Sequence, residues 1–257
     1  MTQPLLEVRG LSVRFTRGAT TFNAVESVHF SLARHETLGV VGGSGSGKST
    51  LARAILQLVP KCAGTIRFDG QEIGALRRRA LRAYYQQVQM VFQQPAASFD
   101  PRRTLGDGIG ESLRTNGCTR REREARVADL LVQCGLAPEI ARRYPHEVSG
   151  GQCQRAAIAR ALAIQPQLLI CDEATSALDV TVQKQILELL ADLRRQTGLA
   201  ILFISHDLAL VQDFCDRALV MHNGRIVEQG TPNAIIQQPQ HRTRKRSSMQ
   251  RCRERSR

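Results

Sequence analysis

The sequence has no tryptophan, and phenylalanine and tyrosine together make up only 4% of it. Aliphatic side chains must therefore carry the packing, and the 42% hydrophobic content is enough for a substantial core. No run approaches the roughly 20 apolar residues of a membrane-spanning helix. Met1–Glu7 lacks the basic start and apolar stretch of a secretory signal. The seven cysteines are Cys62, Cys118, Cys134, Cys153, Cys171, Cys215 and Cys252. They include no CxxC pair and no compact ligand cluster, which argues against a disulfide scaffold and a structural metal site. Reduced cytosolic thiols are the expectation. Acids are also scarce, at 23 against 36 Lys and Arg, giving a formal charge of +13. The tail His241–Arg257 holds eight Lys or Arg and one acid, Glu254, so it carries +7 of that surplus. It has no apolar pattern and reads as a disordered tail. The charge is then weak support for a nucleic-acid partner.

The length of 257 residues suits one large α/β domain, or one domain with two lobes. Leu5–Arg14 and Val25–Leu32 alternate imperfectly and read as strands at an edge of the fold, separated by a polar loop, Thr16–Asn23. Leu38–Val41 is a short apolar run entering a glycine-rich turn, after which Leu51, Ala54, Ile55 and Leu58 recur at helical spacing. Thr65–Phe68 suits a strand, Leu76–Tyr85 a strongly basic helix, and Val88–Phe92 a strand ending at Gln93. Between residues 94 and 163, glycine and proline loops flank a helix over Glu122–Cys134, whose Val127, Leu130 and Leu131 can cover an inner face. This stretch is read as a mainly helical lobe inserted into a core lobe of residues 1–93 and 164–238, with 239–257 as the basic tail. Leu168–Cys171 and Ile201–Ile204 read as buried strands, and Val182, Ile186, Leu189, Leu190 and Leu193 mark an amphipathic helix between them. Val220–His222 and Arg225–Glu228 flank an Asn223–Gly224 hairpin signal. The expected architecture is α/β, with one core sheet interrupted by a helical insertion.

Two motifs carry chemistry. Gly42, Gly43, Ser44, Gly45, Ser46, Gly47, Lys48, Ser49 and Thr50 contain Gly-x-x-x-x-Gly-Lys-Ser between an apolar strand and a helix. That is the context of a phosphate-binding loop. Glycines let the backbone amides face phosphates, and the helix N-terminus favours the anion. Lys48 can reach the β- and γ-phosphates, Ser49 can ligate Mg2+, and Thr50 can assist. The second motif is Leu168–Glu173, an apolar strand delivering two acids to a sheet edge. Asp172 is suited to hold Mg2+. Glu173 can orient or deprotonate an attacking water. The phosphate loop alone admits many phosphotransfer and NTPase functions; with the acid pair beside it, ATP and Mg2+ are the expected substrate and cofactor.

At this point the chain resembles the ATP-binding subunits of ABC transporters, over roughly Leu5–Gly230. Val148–Leu162 reads VSGGQCQRAAIARAL, in which Ser149, Gly150, Gly151 and Gln152 match the family's signature. The resemblance implies a P-loop ABC-type domain with an antiparallel β subdomain and an inserted helical lobe. It implies that the signature faces the phosphate loop of a second subunit. Gln93 matches the Q-loop glutamine, implied to contact Mg2+ or the attacking water. Ser176, Ala177, Leu178 and Asp179 resemble the D-loop, expected near the dimer interface. His206 stands at the position of the switch histidine, implied to contact the γ-phosphate and support Glu173. Phe15 or Phe22 is the candidate to stack on adenine, with Phe15 slightly preferred because it ends a strand-like segment. Gly43, Gln94, Val148, Cys153 and Cys171 depart from common family wording, but none removes Lys48, Asp172, Glu173 or His206.

A finer resemblance, carried by Val88–Arg103 and Asp213–Glu228, is to ATPases of the dipeptide, oligopeptide and nickel uptake branch. The shorter form, with its recognisable core ending near Gly230, looks more like the nickel or metal-chelate subunits. The implied function is ATP hydrolysis powering an importer of nickel, metal chelates or peptides, with metal cargo modestly ahead. The implied partners are two transmembrane permeases, a second ATPase subunit (a paralogue or another copy) and an extracytoplasmic solute-binding protein. The implied place is the cytoplasmic face of a bacterial inner or plasma membrane, bound peripherally. The alternative is a soluble ABC ATPase acting on nucleic acid or in translation. One ATPase module without long coiled coils makes that reading the weaker one.

Overall fold

The computed structural model describes residues 3–18, 20–176 and 178–237. The basic tail, Cys252 and Ala177 lie outside them. Among the described residues the strands are β1 (Leu6–Arg17), β2 (Thr20–Leu32), β3 (Thr37–Val41), β4 (Ala63–Phe68), β5 (Gln71–Glu72), β6 (Val88–Val91), β7 (Leu168–Asp172), β8 (Ala200–Ser205), β9 (Arg217–His222) and β10 (Arg225–Gly230). The helices are α1 (Lys48–Ile55), α2 (Arg78–Gln87), α3 (Leu105–Ile109), α4 (Glu111–Thr115), α5 (Arg120–Gln133), α6 (Gly150–Leu162), α7 (Val180–Thr197), α8 (Leu208–Phe214) and α9 (Pro232–Gln237).

Two sheets form: the antiparallel subdomain that the family resemblance implied and, beside it, the core sheet that the strand pattern led us to expect. The first is antiparallel, in the order β2-β1-β4-β5. The second runs β10-β9-β3-β8-β7-β6, parallel except for β10. Strands β3, β7 and β8 are buried along their whole length, as parallel strands covered on both faces must be. Period-two alternation then feeds two cores. Leu168, Ile170, Leu202 and Ile204 pack with Leu51 and Ile55 of α1 and with the antiparallel sheet. Leu169, Cys171, Ile201 and Phe203 point the other way, toward Ala157 and Ile158 of α6 and Ile186 and Leu190 of α7. Each such fully buried large side chain contributes roughly 1.5–3 kcal/mol.

Local signals explain the helix ends. Thr119 and Glu122 form a reciprocal capping box that starts α5, and Val127, Leu130 and Leu131 form its buried stripe. Asp179 caps α7, and Gly198, at φ 70°, ends it.

The segment Thr16–Asn23, expected as a loop, is instead the tip of the β1–β2 hairpin. Phe15 pairs with Phe22, Thr16 with Thr21 and Arg17 with Thr20. β-Branched threonines and a cross-strand aromatic pair favour this pleated surface, although no buried face marks it in the sequence. The basic helix also starts later than expected. A 3-10 turn at Ile73–Ala75 precedes it, and it runs to Gln87. Among the described residues no helix is long and apolar enough to cross a membrane.

Candidate functional site

Strand β3 ends at Val41, and the chain turns through Gly42–Gly47 into α1. Two of these glycines are required by space. A Cβ on Gly42 would lie 2.3 Å from the Met221 carbonyl oxygen, and one on Gly47, at φ +103°, would lie 2.3 Å from that of Ala24. By contrast, nothing lies within 4 Å of a Cβ on Gly43 or Gly45. Lys48 is only 4% exposed. Its ammonium donates to the carbonyls of Gly42 at 2.9 Å and Gly43 at 3.0 Å. Burial draws its pKa down, while Glu173 and Asp172 oppose that shift.

Strand β7 brings the first acid to this loop. Ser49 Oγ donates to Asp172 Oδ1 at 2.9 Å, so two side-chain oxygens sit side by side. Burial pushes the Asp172 carboxyl above its usual value, and the Ser49 hydrogen bond works against that. The next residue leaves the strand abruptly. Glu173 has φ 48°, a left-handed backbone uncommon outside glycine. It is held there because its N–H donates to Ile204 O at 3.0 Å and its carbonyl accepts from Ser176 N at 3.1 Å and Ser176 Oγ at 3.0 Å. Its carboxylate accepts from Gln93 Nε2 at 2.9 Å. Lys48 Nζ is 3.8 Å from one oxygen, and His206 Nδ1 is 3.9 Å from the other. Lys48, Ser49, Gln93, Asp172, Glu173 and His206 thus meet at the C-terminal edge of the parallel strands, where open α/β sheets bind ligands.

A cavity of about 600 Å3 lies beside the loop, lined by residues 44–50, Gln93, Glu173, Asn223, Gly224 and, from the hairpin, Phe15, Phe22, Asn23 and Ala24. Phe15 and Phe22 both border it, with ring centroids 6.0 Å apart. Phe15 packs against the core, whereas Phe22 is 50% exposed.

The signature residues do not line this cavity. Ser149 instead caps α6: its Oγ accepts from Gln152 N at 3.2 Å, and Gln152 Oε1 accepts from Ser149 N at 3.0 Å. Gly150 and Gly151 face the start of α7, and a Cβ on Gly151 would come 2.8 Å from Val182 Cγ1. Leu178 lies against Gly150, and Asp179 Oδ1 accepts from Val182 N at 3.0 Å. Cys153 and Cys171 fill buried positions, and burial lifts the Cys171 thiol to about 12, so neither is a reactive thiolate.

Sequence reasoning missed two groups. Asn223 and Gly224 were legible as a turn, but not as a wall of the phosphate-loop cavity. Arg160, inside α6, donates to Ser98 O at 2.5 Å and Ser98 Oγ at 2.9 Å, and stands 4.5 Å over the Phe99 ring. It ties the signature helix to the segment after Gln93. No local signal marks either contact.

A glycine loop and lysine at the end of one inner strand, with paired acids at the end of another, define a phosphate-loop nucleotide-binding domain. The chain belongs to the ABC transporter family, whose model matches residues 25–176, and it is an ABC-type ATPase cassette. It is 50% identical to the glutathione import ATP-binding protein GsiA of Pectobacterium atrosepticum, over 93% of this chain and 40% of that protein. The GsiA protein of Escherichia coli strain K12 gives the same identity and shares. The chain therefore spans about 40% of the length of these curated relatives. Among solved structures, cbiO1 from Clostridium perfringens, part of the ABC transporter complex cbiONQ, superposes with a TM-score of 0.82 at 27% identity, covering 92% of each chain. The cassette MJ0796, in a dimeric post-hydrolysis state bound to ADP and Pi, gives 0.81 at 26% identity, over 88% of this chain and 98% of that one.

Proposed function

We propose that this chain binds ATP with Mg2+, hydrolyses it to ADP and phosphate, and so powers an importer of short peptides. The observation that carries the reading is the meeting of Lys48, Ser49, Gln93, Asp172 and Glu173 at one sheet edge. The loop amides of Gly42–Thr50 hold the phosphates, and Lys48 offsets their charge. The paired oxygens of Ser49 and Asp172 suit a hard cation, with Gln93 beside them. When bound, Mg2+ neutralises phosphate charge and orients the transferred group. Glu173 orients the attacking water and takes its proton, while Gln93 and His206 hold that carboxylate in place. Ser149–Gln152 serve the site of a second ATPase subunit, and Ser176, Leu178 and Asp179 lie at that interface. The cassette works on the cytoplasmic side of the membrane, against two permeases supplied by a solute-binding protein.

Glutathione is itself a short peptide, and the half-identical relatives are glutathione import ATP-binding proteins. That likeness supports peptide cargo over the nickel and metal chelates that the sequence had put modestly ahead. A reconstituted complex, offered labelled glutathione, other short peptides, nickel and nickel chelates, is expected to take up peptide only with ATP present. Uptake confined to nickel or its chelates would overturn the cargo assignment. An assembled complex that released no phosphate from ATP would overturn the whole reading.

The exposed ring of Phe22 is the better-placed platform for adenine, because Phe15 is committed to the core. Base stacking on an aromatic is worth about 1–3 kcal/mol. Phe22→Ala is expected to weaken ATP binding about tenfold with little change in urea midpoint. Phe15→Ala should do the reverse. Equilibrium titration of both variants decides the assignment, and the opposite ranking would transfer the role to Phe15.

A further inference from the structure

The turn Asn223–Gly224 is remote from the phosphate loop in sequence, yet the two are joined backbone to backbone. Gly224 N donates to Ser46 O at 3.0 Å, and Gly224 O accepts from Glu26 N at 2.8 Å. Gly224 is buried with φ +78°, and a Cβ there would lie 3.0 Å from the Ala24 carbonyl oxygen. A Cβ on Gly47 would lie 3.4 Å from the Gly224 Cα. Three segments, β2, the β9–β10 turn and the loop, therefore touch at bare backbone. Outside this contact, Arg225 Nη2 donates to Glu26 Oε1 at 2.5 Å, tying β10 to β2.

A loop with four glycines among its first six residues has wide conformational freedom. Its amides can aim at an anion only if something outside the loop limits that freedom. Lys48 ties down Gly42 and Gly43 at one end. At the other end, the tie is the hydrogen bond between Gly224 and Ser46.

We propose that Gly224, braced by the Arg225–Glu26 pair, is a positioning element for the phosphate loop, setting Ser46 and Gly47 at the height from which the loop binds nucleotide. This rests on the ATP-binding reading above. The brace works by preorganisation, since it lowers the ordering left for the nucleotide to impose. The backbone contact dominates. The ion pair is 64% and 35% exposed, and exposed pairs are worth little.

The test is titration of the full chain with a fluorescent ATP analogue in Mg2+, alongside urea unfolding. Gly224→Ala is expected to weaken binding at least tenfold. Arg225→Ala and Glu26→Ala should each weaken it two- to threefold. The charge swap Glu26→Arg with Arg225→Glu should return to within twofold of the wild type. A merely structural role would move the urea midpoints and leave nucleotide affinity of the folded variants unchanged, which would overturn the proposal. If Gly224→Ala does not fold, the swap decides, and failure to recover affinity lost by the single variants would overturn it. A wild-type chain that does not bind the analogue would sink the ATP reading itself. Wild-type binding with unaffected variants would sink only the positioning role.

Discussion

Replacing Glu173 by Gln is expected to reduce ATP turnover of an assembled complex by about 100- to 10,000-fold, the range usual for losing a general base. The substitution keeps the shape but removes the negative charge, and with it the capacity to accept a proton. Glu173 is set apart from an ordinary surface acid by its surroundings. Its backbone sits at φ 48°, held by Ile204 and Ser176, and its carboxylate faces a glutamine amide at 2.9 Å and a lysine ammonium at 3.8 Å. A non-glycine residue in that conformation costs on the order of 1–3 kcal/mol, retained because the surrounding structure dictates it. Relaxing the strand end would carry the carboxylate away from Lys48. Nucleotide binding should survive in Glu173→Gln, because Lys48 and the loop amides remain. The measurement is phosphate release at saturating ATP, with binding followed separately. Turnover within threefold of the wild type would show that another group activates the water. Reduced binding with turnover intact would show that Glu173 holds substrate.

The contrast between what could be read from the sequence and what could not follows contact range. The phosphate loop is contiguous, and its strand and helix flanks are set by neighbouring residues, so Gly42–Thr50 was legible at once. The same holds for β7 ending in Asp172, for the apolar stripe of α5 and for the Asn223–Gly224 turn. The β1–β2 tip was misread because Thr16, Thr20 and Thr21 look polar in isolation and become strand only through pairing. The antiparallel sheet came only from the family resemblance and not from the strand pattern, since β1 chooses both β2 and β4 as partners. Glu173 and Gln93 are 80 residues apart, and Arg160 and Ser98 are 62 apart. Only the family resemblance related the first pair beforehand, and nothing related the second. Helices α8 and α9 escaped as well, being short and weakly patterned.

Gly47→Ala should cause the largest loss of nucleotide affinity, and the reason is steric before it is chemical. The added methyl would lie 2.3 Å from the Ala24 carbonyl oxygen, a distance no carbon tolerates, and 3.3 Å from Met221 Cε. The methionine can swing aside. The carbonyl cannot, because Ala24 lies in β2, whose neighbour Glu26 is bonded to Gly224. The loop must therefore move instead. Gly47 also has φ +103°, which adds roughly 1–3 kcal/mol of backbone strain to any side chain. These costs fall on the residue directly before Lys48, where a displacement re-aims both the loop amides and the ammonium. ATP affinity is expected to fall at least 100-fold, equivalent to about 2.7 kcal/mol. Gly117→Ala supplies the control. Gly117 has φ +87° with nothing within 4 Å of an added Cβ, so it carries backbone strain without collision. It should lower the urea midpoint while leaving ATP affinity at the wild-type value. If Gly47→Ala bound ATP within threefold of the wild type, the close approach of β2 to the loop would not govern the phosphate site, and the brace at Gly224 would lose its purpose with it.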